Sequence, residues 1–282
     1  MAFKYDATRT VERLGLLKQY LETEVLSDMD FICKHYLTCL HSHNGPFYEG
    51  QLHHLGHYYD IIENGNAIRA VVVGQEYGAA HSRISIDARY NQLRKCGDDL
   101  RFKKTDTHAG RNPHMKGTTS ALRLLFGRNP GTDYESEFLD FEDGTSCHIF
   151  DAFSLVNYLL CAAHATGSLS RGDSSRIMKK NCGSHFRAVL EILEPTVIIV
   201  QGKGIWHWVR NSFDKLEAIQ GELYRGQISG MQSLVASFTH PSSPRNKHNW
   251  GVNEHTSYLL EVVSPTIKQM RSLLFKEVDT TL

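Results

Sequence analysis

The chain has 282 residues, 41% of them hydrophobic and 22% charged, with 31 basic residues against 31 acidic ones. That length suits one large domain or two small ones, with ample chain for a core, and the neutral balance excludes a globally basic nucleic-acid-binding surface, so local charge has to be examined instead. No apolar run reaches the roughly 18 residues of a membrane span, and Met1 is not followed by a basic-then-apolar signal pattern, so a cytoplasmic protein with no membrane partner is expected.

Residues 9–26 carry Val11, Leu14, Leu17, Leu21 and Val25 at helical spacing, which predicts an amphipathic helix. A polar, histidine-laden segment holding Cys33 and Cys39 follows, to about residue 66. Strands are expected at 70–73, 147–156, 197–200 and 234–238, where apolar residues run together as in strands covered on both faces. Between them helical patterns fall at 122–126, at Phe186, Val189, Leu190 and Leu193 before Pro195, and at 205–213. Ser264 and Pro265 supply the cap and first turn of a last helix running to about residue 275. Strands alternating with helices predict an α/β three-layer sandwich with a central, mainly parallel four-stranded sheet.

Ligands of such sheets bind outside the carboxyl ends of the strands. The first strand ends in Gly74, Gln75, Glu76, Tyr77 and Gly78, and the second ends near Asn157 in SLVNYLLC. Gln201, Gly202, Lys203 and Gly204 close the third, and THPSSPR, from Thr239 to Arg245, closes the fourth. A carboxylate, an amide and a histidine would then surround one cleft. Singly, each has a plain structural meaning: Glu76 as a helix cap or arginine partner, His240 as a turn residue, Asn157 as a satisfied buried amide.

In this order the motifs resemble the uracil-DNA glycosylase superfamily. GQEYG is similar to its first motif and THPSSP to its last, a His-Pro-Ser loop. VNYLLC, with Asn157 four residues before Cys161, resembles the class that carries a [4Fe–4S] cluster; Cys182, a helix and PTVIIVQG follow in that class's order. The resemblance runs from about Cys33 to Trp250 and implies a single domain over 1–282, with a basic insertion at 79–112.

The resemblance implies a DNA glycosylase that flips out a base and hydrolyses its N-glycosidic bond. Glu76 would be catalytic at the sugar, orienting water and stabilising positive charge, and His240 would donate to O2 of the departing base. Asn157 would read the pyrimidine edge, with Gln75, Tyr77, His114 and Met115 completing the base pocket. Ser242, Ser243, Arg245 and Lys203 would contact DNA, the loop pressing into the minor groove. Cys33, Cys39, Cys161 and Cys182 would ligate the cluster; their spacings, C-x5-C and C-x20-C, are wider than the family's. Zinc held by Cys33, Cys39 and His35 or His41 is the alternative, as are buried free thiols. Cys96 and Cys147 match no role.

Departures from the family bear on the substrate. His114 and Met115, in RNPHMKGTTSALRLL, stand where the family has a stacking aromatic residue. Residues 79–112 carry eight basic residues (Arg83, Arg89, Arg94, Lys95, Arg101, Lys103, Lys104, Arg111) against four aspartates, net +4. Such a segment is either a phosphate-contacting surface or an ordinary solvated loop. Gly78, Ala79 and Ala80 after Tyr77 leave room for a bulky 5-substituent. The expected function is therefore excision of a modified pyrimidine, such as glucosylated 5-hydroxymethylcytosine in phage DNA, in antiviral defence. The partner would be double- or single-stranded DNA, the protein a monomer, and Asp151 the candidate acid for a cytosine-type leaving group. The alternatives are uracil excision in base-excision repair and a non-catalytic DNA- or protein-binding member. A metal-dependent hydrolase ranks last, because no H-E-x-x-H or similar ligand pair occurs.

Overall fold

The computed structural model describes residues 2–76, 83–102, 110–168, 172–243 and 248–276. In chain order its main elements are α1 (Ala7–Glu24), α2 (Tyr36–His41), β1 (His54–Leu55), β2 (Ala70–Gly74), α3 (Ile86–Phe102), α4 (Pro113–Leu125) and β3 (Phe153–Asn157). There follow α5 (Arg176–Leu193), β4 (Val197–Gln201), α6 (Lys203–Val209), β5 (Lys215–Gln220), β6 (Leu223–Ile228), β7 (Met231–Phe238) and α7 (Ser264–Lys276).

Every residue of β2, β3 and β4 is buried, because helices cover both faces of the sheet. Alternation along the strands sorts side chains into two cores. Ala70, Val72, Phe153, Leu155, Val197 and Ile199 pack with Leu122 and Leu125 of α4 and with Ile267 and Met270 of α7. Val71, Val73, Val156, Ile198 and Val200 pack on the other face with Leu17 and Leu21 of α1, Phe186 and Leu190 of α5 and Ile205 of α6. The helices start where side chains satisfy free amides: Asn112 accepts from Met115 N at 2.9 Å, and Ser175 from Met178 N at 3.1 Å. Such caps are worth about 1 kcal/mol each.

The sheet has seven strands, in the order β5-β6-β7-β4-β2-β3-β1, rather than the four expected. β2 runs parallel to β3 and β4, and β4 runs parallel to β7, while β6, β5 and β1 join antiparallel. β5 carries almost no buried residue, so no apolar alternation marks it in the sequence. The expected strand at 147–156 divides into a short strand Ser146–His148, a 3-10 turn Ile149–Asp151 and β3. Much of 79–112 is helical, as α3, rather than loop. The last helix, α7, begins at Ser264 as expected, but Ser264 does not cap it: a π-helical turn, Leu259–Val263, runs straight into it. Pro265 offers no N–H, and a widened turn is a usual way to accommodate that. No helix among the described residues is long and apolar enough to cross a membrane.

Candidate functional site

The sheet register assembles the site. Asn157 pairs with Gly74, Val200 with Val73, and Gln201 with Phe238, so Asn157, Gly74 and Gln201 form one row at the carboxyl edge. A Cβ on Gly74 would lie 3.5 Å from Asn157 Oδ1 and 3.5 Å from His114 Cε1, so the glycine forms a low floor under the start of α4. Above it opens a cleft of about 1000 Å³, whose lining includes Gln75, Glu76, Asn157, His114, Met115, Lys203, His240, Ser242 and Ser243.

Glu76 follows β2 directly. Its Oε2 accepts from the Ala163 amide at 3.1 Å and its Oε1 from Gln75 Nε2 at 3.1 Å. Burial pushes its pKa above the ordinary glutamate range, against the opposing pull of those two donors, Lys179 and His43. Gln75 also donates to Ser174 Oγ at 3.1 Å, so its amide nitrogen is spent on holding the carboxylate. Gly172 lies flat against the same group, where a Cβ would stand 2.5 Å from Glu76 Oε1.

His240 follows β7. The Ser242 backbone amide donates to His240 Nδ1 at 3.2 Å, and Ser242 Oγ lies 2.7 Å from the same nitrogen. A backbone amide can only donate, so Nδ1 is an acceptor and the ring proton resides on Nε2. The ring is open to solvent on one side, yet the surrounding walls desolvate it enough to hold its pKa below the ordinary histidine range. Both effects leave it neutral near pH 7, and the tautomer follows from the hydrogen bond alone. His114 stacks on His240 with ring centroids 5.6 Å apart and planes inclined by 16°. Burial first, and then His240 and Arg89, push the His114 pKa down to about 3.

Other expected site residues fare differently. Met115 touches the cleft but belongs to the core under α4. The Lys203 ammonium is paired with Glu222 and donates to the Ser237 carbonyl at 2.7 Å, so its charge is already neutralised. Ser243 donates its amide to the His240 carbonyl at 2.9 Å, closing the turn. Tyr77, Gly78, Ala79, Ala80 and Arg245 lie outside the described residues. Asp151 sits at the amino end of β3, accepting from His57 N at 3.3 Å, and does not line the cleft. Of the basic residues in 79–112, Arg111 forms a buried pair with Glu137 at 2.6 Å and Arg83 is bound to Glu49 at 3.0 Å, so neither is free for phosphate.

Among the cleft residues to which sequence reasoning gave no role are His164 and Gln201. His164 is 1% exposed, and neither ring nitrogen has a partner among the described residues. Gln201 is fully buried, donating Nε2 to Thr118 Oγ1 at 3.1 Å, and its Oε1 has no partner among the described residues. Thr118 anchors it from α4. A lone amide closing the apolar run VIIVQ was the one visible signal for Gln201.

Cys33, Cys39, Cys161 and Cys182 gather where α2, the strand Cys161–Ala163 and α5 meet. Burial, and then the neighbouring thiols of Cys182, Cys39 and Cys33, push the Cys161 pKa well up. Burial also pushes Cys182 up to about 12, with Cys39 and Cys33 adding to it against a backbone hydrogen bond from Leu160. All-thiol donors fit an iron–sulfur group, whose ligands stand further apart than those of one ion. Among the described residues no His, Cys, Asp or Glu side chains group tightly enough to hold a single metal ion, at Cys33, Cys39, His35 and His41 included.

No family model and no curated protein matches the chain.

Proposed function

We propose that the chain is a DNA glycosylase of the uracil-DNA glycosylase type, a three-layer sandwich in which four parallel strands carry the catalytic edge. It flips a modified pyrimidine into the cleft and hydrolyses its N-glycosidic bond, leaving an abasic site. What carries this reading is that Glu76, Asn157, His114 and His240, from three strand ends and one helix start, line a single cleft.

The C1′–N1 bond breaks with both electrons leaving on the base. Water adds to C1′, and the Glu76 carboxylate orients it and takes its proton. Negative charge gathers on the base O2, where the Nε2–H of neutral His240 donates. A neutral donor suits this step because it is the form that the lowered pKa and the Nδ1 hydrogen bond favour in the free protein. A cleft of about 1000 Å³ lies at the upper end of the roughly 300–1,000 Å³ usual for ligand sites. That volume favours a base with a large 5-substituent over plain uracil. Glucosylated 5-hydroxymethylcytosine in phage DNA is the substrate that best fits, and antiviral defence in the cytoplasm, by a monomer, is the role that follows. Cys33, Cys39, Cys161 and Cys182 would hold a [4Fe–4S] cluster that pins the N-terminal segment to the flank of the sheet.

Mass spectrometry of bases freed from uracil-containing DNA and from glucosylated phage DNA tests the proposal. The wild-type protein should release the glucosylated base, and Glu76→Gln should slow release by about 10²–10⁴-fold while leaving DNA binding intact. Uracil release alone would move the protein to base-excision repair. Binding without release from either DNA would make it a binding module.

A further inference from the structure

Gln201 faces the cleft with a hydrogen-bonding character fixed by Thr118, and Asn157 faces it from the other side of Gly74 with its Nδ2 turned inward. The Thr118 hydroxyl donates its only proton to the His114 carbonyl at 3.1 Å. Its oxygen can therefore only accept from Gln201, which must turn Nε2 toward it at 3.1 Å. The other end of that amide, Oε1, is left as a buried acceptor without a partner among the described residues. On the far side of Gly74, Asn157 is 4% exposed and its Nδ2 is a buried donor likewise without a partner among them. An unpartnered buried polar atom is unfavourable by itself, and two of opposite kind beside one floor are complementary to something.

β2 separates the strands that carry these residues, so their backbones stand two strand spacings, about 10 Å, apart. They address the two ends of a flat edge, with Gly74 beneath its middle. A 4-aminopyrimidine presents an acceptor, O2, at one end of its pairing edge and a donor, the exocyclic N4 amine, at the other. A 4-oxopyrimidine presents acceptors at both ends, so its O4 would meet Gln201 Oε1 with no proton between them.

We infer that Gln201 is a specificity-determining residue: its locked Oε1 accepts from the exocyclic amine of a 4-aminopyrimidine base while Asn157 Nδ2 donates at the opposite end, so bases of the cytosine type are admitted and those of the uracil type rejected. The inference rests on the glycosylase reading of the cleft and names its substrate class.

The test uses two single-stranded oligonucleotides, one carrying 5-hydroxymethylcytosine and the other 5-hydroxymethyluracil, which differ only at position 4 of the base. Binding is measured by fluorescence anisotropy in the Glu76→Gln protein, so that selection is read without cleavage. The amino oligonucleotide should bind about tenfold tighter or more, and adding Gln201→Leu should bring the ratio to within about twofold. Gln201→Glu keeps an acceptor in place and should retain the preference. Thr118→Val frees the amide to rotate and should narrow it, which decides the matter if the leucine variant does not fold. Equal binding of the two, or a preference that survives both Gln201→Leu and Thr118→Val, overturns the inference. Base release by the wild-type protein is scored separately. Release from neither oligonucleotide with the binding preference intact counts against the glycosylase reading and leaves the selection standing. Faster release of the uracil-type base does the reverse.

Discussion

At the scale of single residues, Glu76 concentrates the conflict between stability and chemistry. It is a carboxylate held among desolvating walls with two donors among the described residues, the Ala163 amide and Gln75. Burial raises its folded pKa, and the opposing pull of these donors, Lys179 and His43 does not cancel the rise. Because the folded pKa lies above the unfolded one, ionising Glu76 disfavours the folded state. The penalty is complete above the folded pKa and disappears as pH falls below the unfolded value. Glu76→Gln keeps an oxygen for the Ala163 amide and removes the charge, so it should raise Tm at about pH 7.5 and leave it unchanged at about pH 4. Under the proposed glycosylase chemistry, the acid limb of kcat/KM in the wild type should likewise sit above the ordinary glutamate range, since only the carboxylate form of Glu76 would take the water's proton. Equal Tm values for the two proteins at the higher pH would mean that Glu76 is better solvated than its surroundings indicate.

At the scale of elements, α4 and the turn after β7 act as one piece. A Cβ on Gly117 would lie 2.6 Å from Pro241 Cγ and 3.1 Å from Trp250 Cζ3. Trp250 Nε1 donates to the Thr239 carbonyl at 2.8 Å, and Gly251 donates its amide to the Pro241 carbonyl at 2.9 Å, so neither obstacle is a loose side-chain end. Gly117→Ala should favour α4 by about 1 kcal/mol on propensity alone, yet it must displace Pro241 and with it His240. A shift of about 1 Å in a catalytic group costs up to roughly 10²-fold in rate, so kcat should fall by that order while helix content is unchanged. Full activity in this variant would show that His240 is positioned without support from α4.

How much of this was legible beforehand follows the same physics. β2, β4 and the core of β7 were visible because strands buried on both faces leave continuous apolar runs. β5 was not, since an exposed edge strand leaves no such mark. Glu76, Asn157 and His240 could be placed near one edge from strand ends alone, whereas His114, at a helix start, was placed only by the family resemblance. What sequence could not reveal was where partners spend a group: Lys203 on Glu222, Arg111 on Glu137, Gln75 on Glu76. Glu222 and Glu137 are distant in the chain from the residues they hold, and Gln75 turns back onto its own neighbour. Gln201 had the reverse problem, because its meaning depends on what Thr118 leaves unbound.

At the scale of the whole molecule, a cluster on the four gathered cysteines would tie together parts that also meet through packing and a few polar contacts, such as Tyr20 with His185 at 2.7 Å and Arg13 with Glu194 at 2.8 Å. Cys33 and Cys39 come from the N-terminal segment, Cys161 from the strand beyond Asn157, and Cys182 from α5, which packs on α1 and α2. Cys161 and Cys182 are buried, and burial holds both thiols protonated near neutral pH. Thiolates there become favourable only beside a cation, and binding to the folded state alone then adds directly to stability. Anaerobic reconstitution with iron and sulfide should therefore yield about four iron atoms per chain, a broad visible absorbance and a higher Tm. Cys182→Ser should lose all three gains. Cys147→Ser is the control, since Cys147 is buried in the opposite core, across the sheet from the four, and it should keep the absorbance even if Tm drops. Uptake of a single zinc with no visible band, or equal absorbance in both variants, would sink the cluster assignment. It would also leave the N-terminal segment held by its packing and by the buried Arg13–Asp60 pair at 3.1 Å, so that chelators should not move Tm.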